Sequence, residues 1–188
     1  MKRLFLTAGM MTAFAFIVLS TSAQTKPNFA GTWNLDKAKS QGLSQRMQGA
    51  DSVTWTITQD DKTISIDTKV TGGQPPAGGA PSGGGPGGGG SGRGIGMAGP
   101  QSYNLDGTET TSDVGGGQMT GKAAMKATWS GSTLELSRKS TFNGPNGEIT
   151  STNSQKLSLS GDGKVLTAVV HSESPRGTQD STLVFNKQ

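Results

Sequence analysis

The sequence predicts an all-β protein, an antiparallel up-and-down β-barrel of about 8–10 strands, from three observations. Apolar and polar residues alternate cleanly, as in Val53, Trp55 and Ile57 against Thr54, Thr56 and Thr58. Short polar or glycine-bearing turns recur between such runs: Asp60-Asp61-Lys62, Ser130-Gly131 and Gly161-Asp162-Gly163. Past the N-terminal segment no stretch carries a convincing helical period. Short, evenly spaced strands indicate a sandwich or a barrel, and a closed meander removes the exposed edges that invite aggregation.

Lys2 and Arg3 precede an apolar run from Leu4 to Leu19, followed by Ser20-Thr21-Ser22-Ala23. This is the pattern of a secretory signal, with cleavage expected after Ala23. The run is short for a membrane span and no stop-transfer pattern follows it, so the cleaved form is not expected to be an integral membrane protein. The expected domains are a signal at 1–23 and one barrel domain at 24–188, exported to a periplasm or secreted. The formal charge of +4 falls by two when Lys2 and Arg3 leave, too little to indicate nucleic acid or a membrane surface. With no cysteine there is no disulfide, thiolate metal site or cysteine nucleophile.

Asn28 to Leu35 reads as the first strand, with Phe29, Gly31, Trp33 and Leu35 on one face. Lys37 to Ala50 is polar and aperiodic. It reads as a surface loop, and the competing reading is a helical turn over Ser44–Gln48 that turns Leu43 and Met47 inward as a lid. Ser52–Thr58 and Thr63–Val70 form a hairpin around Asp60-Asp61-Lys62, one face apolar and the other Thr, Ser and charge. Residues 71–101 hold the run Gly83 to Gly90, Gly-Gly-Gly-Pro-Gly-Gly-Gly-Gly. Such a tract buries too little apolar surface to offset its ordering entropy, so it is expected to be a disordered loop inserted in the barrel. Loop entropy grows only logarithmically with length, so the barrel tolerates it.

A run of hairpins follows. Tyr103 and Leu105 lead into Asp106-Gly107 and a polar strand over Thr108–Val114. Ala123, Met125, Ala127 and Trp129 alternate with Lys122, Ala124, Lys126 and Thr128. Leu134, Leu136, Arg138, Ser140 and Phe142 share the next face. Strands over Ile149–Leu159 and Val165–Ser172 lead to a last strand where Leu183, Phe185 and Lys187 align.

Phe29-x-Gly31-x-Trp33, the hairpin series and a basic residue on the last strand together resemble the bacterial lipocalin-like exported proteins of the calycin group. The resemblance implies that Lys187 packs over Trp33 beside Gly31 and closes one barrel end, a cation–π contact of about 0.5–2 kcal/mol. It also implies an interior that binds a small hydrophobic or amphipathic molecule. The chain departs from the pattern in its Gly/Pro insertion and in lacking a disulfide or a helix after the barrel. A fatty-acid-binding-type barrel would place two helices after the first strand, and Lys37–Ala50 is too short for both.

On that reading Trp55, Ile57, Ile66, Met125 and Trp129 form an apolar ligand wall, with Ser140, Ser151, Asn153 and Gln155 as polar lining. Arg138 follows the parity of Leu134 and Leu136. Pointing inward it would meet a ligand carboxylate; a strand end or bulge would instead deliver it to solvent, which is the favoured alternative. The single His171 is expected to be an ordinary strand residue, Asp60-Asp61 a turn rather than a catalytic pair, and Met97, Met119 and Met125 no copper site. No nucleophile–base pair or metal constellation is visible, so no enzyme, catalytic residue, metal or cofactor is expected. Outward faces of Thr, Ser, Lys and Asp argue against an outer-membrane barrel. The competing function is a non-enzymatic envelope or interaction protein, its barrel filled by its own side chains and acting through its surface or glycine-rich arm.

Overall fold

The computed structural model describes residues 26–72, 100–116, 119–144 and 147–188. The expected signal at 1–23 and nearly all of the expected disordered loop lie outside these residues. So does Met97. The strands are β1 (Gly31–Leu35), β2 (Ser52–Gln59), β3 (Thr63–Thr71), β4 (Gln101–Asn104), β5 (Thr110–Gly116), β6 (Met119–Ser130), β7 (Thr133–Gly144), β8 (Gly147–Leu159), β9 (Val165–Ser174) and β10 (Gly177–Lys187). They form one ten-stranded antiparallel sheet in the order β4-β3-β2-β1-β10-β9-β8-β7-β6-β5. The all-β, up-and-down barrel expected from the alternation is what the chain forms. The first and last strands pair along its wall, with Trp33 opposite Lys187 and Leu35 opposite Phe185.

Closure is incomplete, which corrects two expectations. Asp106-Gly107 does turn, with Gly107 at φ 86°, but it joins no hairpin. β4 pairs with β3 and β5 with β6, leaving β4 and β5 as the two ends of the ladder. The polar strand starts at Thr110 rather than Thr108, because Asp106 ties the backbone N–H of Thr108 at 2.8 Å and holds the chain in the turn. Thr110 then spans the seam with its side chain, Oγ1 reaching Ser102 O at 3.4 Å and Met125 O at 3.3 Å. At the inserted loop, the expected limits 71 and 101 are strand residues: Thr71 pairs with Ser52 and Gln101 with Ile66.

Residues 37–50 take the helical-turn reading over the favoured loop. α1 (Gln45–Gly49) is capped by Ser44, whose side chain accepts from Met47 N, and Lys37 Nζ bonds the carbonyls of Gln48 and Ala50. These bonds satisfy one orphan N–H at the start of the helix and carbonyls at its end, which helps so short a helix to form. Leu43 and Met47 pack against the core. Before the helix, Asp36 to Gly42 runs along β10 as a strap, with paired bonds between Gln41 and Thr182. Phe29, expected in the first strand, lies just ahead of it and is fully buried.

On the outer wall, His171 faces Asp180 across β9–β10, with Nδ1 2.5 Å from Asp180 Oδ1 and Nε2 3.3 Å from Glu173 Oε1. Ser154, Ser137 and Lys126 continue this outward rung. Asp180 first and Glu173 second raise the imidazole pKa above its ordinary 6.5. The native state thus binds the proton more tightly than the unfolded chain. The contribution is full below about pH 6.5 and is lost as pH rises through the higher native pKa. Wild type should exceed His171→Asn in thermal midpoint at pH 5.5, with the gap shrinking toward pH 8.5. A gap that widens with pH would refute this.

Candidate functional site

The strand registers order the interior into rungs. An apolar rung joins Trp129, Leu134, Leu157, Ala168 and Leu183 across β6 to β10. Above it lie Ala127, Leu136, Gln155, Val170 and Ser181, then Met125, Arg138, Asn153, Ser172 and Gln179. The period-2 alternation puts all of these on one face, and their chemistry shifts from apolar to polar along the barrel axis.

The apolar end is sealed by its own side chains. Trp33 is fully buried, its Nε1 donates to Phe29 O at 2.9 Å, and Lys187 Nζ stands 5.2 Å from the ring centroid. Gly31, at φ 141°, lets this happen: a Cβ there would lie 2.9 Å from Lys187 Cε. The structure thus brings Gly31, Trp33 and Lys187 together. Phe29 stacks on Trp129 at 6.1 Å, and Lys26 Nζ lies 5.4 Å from the Trp129 ring. Trp129, expected on the ligand wall, therefore stands in the sealed end, because its rung is the one nearest the turn into β7. Trp55 packs on Phe185 at 4.3 Å, and Ile57 and Ile66 are buried in the same cluster.

The polar end gathers the remaining candidates. Arg138 faces inward opposite Met125 and Asn153 and is half-buried, so the favoured expectation of a solvent-directed arginine is corrected. The strand neither ends nor bulges at this point: β7 continues to Gly144. Burial lowers the guanidinium pKa, with Tyr103 countering it. Tyr103 is itself pushed up to about 12 by burial, against the pull of Arg138. It stays a neutral hydroxyl and donates to Gln101 Oε1 at 3.0 Å. Of the polar lining, Ser140 and Gln155 are each 5% exposed, and Ser151 and Asn153 are intermediate. Asn153 Nδ2 donates to Ser172 Oγ at 2.7 Å, and Gln155 Nε2 to Asn153 Oδ1 at 3.0 Å. Gln155 Oε1 and the indole N–H groups of Trp55 and Trp129 are buried without partners among the described residues. Each such group costs about 1–3 kcal/mol if left unpaired.

Gln101, Tyr103 and Ser172 join this tier without having been expected there. Ser172 shares the parity of Leu166, Ala168 and Val170, a signal present in the sequence. Gln101 borders the Gly/Pro tract, where no periodicity indicates a face. Among the described residues, no group of three or more His, Cys, Asp or Glu could hold a metal. Outside the barrel, a groove of about 350 Å³ beside α1 is lined by Lys37, Ser40, Gly42, Leu43 and Gln48.

No protein-family model matches the chain, and no curated protein matches it in sequence. Among solved structures it is similar to the zebrafish ileal bile acid-binding protein in complex with cholic acid. The identity is 14% over 85% of this chain and 98% of that one, with a TM-score of 0.46.

Proposed function

We propose that the protein is an exported barrel that binds a small amphipathic molecule, its polar head at the Met125–Arg138–Asn153–Ser172 rung and its apolar part toward Trp55, Ile57 and Ile66. The observation that carries this reading is the half-buried, inward Arg138 on the same sheet face as a buried amide oxygen, Gln155 Oε1, that has no partner among the described residues. A polar tier above an apolar floor is the arrangement that orients an amphiphile: burial supplies affinity and the few polar groups fix direction. No catalytic role is assigned to any of these residues.

Native mass spectrometry of the protein purified from cells without detergent tests the proposal. The expected result is added mass that is released on denaturation. Arg138→Met, which keeps the stem and removes the charge, should weaken retention by about 10–100-fold, the equivalent of one charged hydrogen bond. The competing reading, a self-filled barrel acting through its surface, draws on the contiguous buried cluster from Phe29 to Phe185. A bare mass unchanged after incubation with a mixed lipid extract would favour it.

A further inference from the structure

We propose that Gln155 sets the specificity of the polar tier: its buried amide oxygen selects a ligand whose head carries a hydrogen-bond donor, a hydroxyl above all, over one that can only accept. This rests on the ligand-binding reading and deepens it. Gln155 is 5% exposed, and its Oε1 has no partner among the described residues. Its other polar atom is committed, since Nε2 donates to Asn153 Oδ1 and Asn153 Nδ2 donates in turn to Ser172 Oγ.

That chain of bonds orients the amide. Turning Gln155 alone would set Oε1 against Asn153 Oδ1, two acceptors with no proton between them. The whole relay can reverse only if the Ser172 hydroxyl changes from acceptor to donor. Gln155 would then present its NH₂ to the interior, on the sheet face where Arg138 stands directly across from Asn153. The positive end of a dipole near a cation in a partly desolvated site is disfavoured, so the orientation with Oε1 inward wins. An acceptor and a cation on one face are matched by a hydroxyl, whose hydrogen goes to Oε1 while its oxygen turns lone pairs toward the guanidinium. An ether or an ionised carboxylate offers lone pairs only and leaves Oε1 desolvated and unmet. Sites built around such groups reject analogues that lack the matching donor.

Equilibrium dialysis of the protein purified from cells against 1-decanol and decyl methyl ether tests this, the two probes sharing a decyl chain and differing in the hydroxyl hydrogen. Wild type should hold the alcohol at least about tenfold more tightly, the worth of one well-formed hydrogen bond. Gln155→Leu should bring the ratio near one, chiefly through weaker alcohol binding. Should that variant fail to fold, Ser172→Ala decides: with the outer anchor gone the Gln155 amide turns freely, and the preference should fall by about threefold or more. Equal binding of the two probes by wild type, or a preference that survives these changes, would overturn the role of Gln155 while leaving a ligand-binding barrel intact. Binding of neither probe would overturn the ligand-binding reading itself and this inference with it.

Discussion

Trp33→Ala should remove about 3–5 kcal/mol of folding stability, the range for truncating a fully buried large aromatic. The ring is 0% exposed and belongs to the same buried cluster as Trp55, Leu166 and Phe185. Its loss would open a cavity at the sealed end and strand the carbonyl of Phe29, which accepts from Nε1 at 2.9 Å. Small single domains have about 5–15 kcal/mol in all, so the variant should sit near its unfolding threshold at room temperature. Urea titration followed by tryptophan emission would show the midpoint falling steeply with little change in slope. Lys187→Ala should behave differently. The lysine is exposed and its contact is one cation over a ring, worth about 0.5–1 kcal/mol at such a site. A Trp33→Ala loss as small as that of Lys187→Ala would mean the indole is not the keystone of this end.

Trp33 was also among the most legible residues. Its strand is short, but the Phe29-x-Gly31-x-Trp33 pattern and a last-strand cation carry the resemblance to calycin barrels, and that resemblance implies the pair that meets at the β1–β10 ladder. The long alternating runs were equally readable. Val53-x-Trp55-x-Ile57 and Leu134-x-Leu136 landed on the buried face because a period of two leaves no other face for them. What escaped was long-range pairing. Asp106-Gly107 has the chemistry of a hairpin turn, yet turn chemistry specifies only local backbone. Whether the strands on either side then bond to each other depends on the neighbours β3 and β6 that claim them first.

The site was legible in outline and misjudged in depth. Parity alone put Arg138, Ser140, Asn153 and Gln155 on the inner face. Yet Arg138 was expected to reach solvent, because a buried cation is costly and the sequence shows no compensating group nearby. The groups beside it come from distant segments: Gln101 and Tyr103 from β4, Ser172 from β9. Trp129 shows the same limit from the other side. Its parity is inward, as read, but the height of a residue along the barrel axis depends on register. Its pairing with Leu134 and its stacking on Phe29 show that it stands in the sealed end.

Gly42→Ala should cost about 2–5 kcal/mol, summing a left-handed backbone penalty and an overpacking term. Gly42 has φ +65°, where an L side chain is strained. A Cβ there would lie 2.3 Å from Asp180 O and 3.0 Å from Ser181 Cα, and neither atom can rotate aside. The strap must then lift from β10. It would take with it the Gln41–Thr182 pair at 2.8 and 3.0 Å, the bond from Val184 N to Ser40 Oγ at 2.9 Å and that from Gln179 Nε2 to Gly42 O at 3.1 Å. Leu43 and Met47, which the strap delivers onto the core, would lose their seats. Amide exchange at Thr182 and Val184 should accelerate by more than global destabilisation explains, because both N–H groups bond to the strap. Gly49→Ala is the control: a Cβ at Gly49 meets nothing within 4 Å, so it should leave both exchange and stability nearly unchanged. Unaltered protection at Thr182 in Gly42→Ala would show that the strap tolerates the extra carbon. The close approach to Asp180 would then not be what demands glycine at this position.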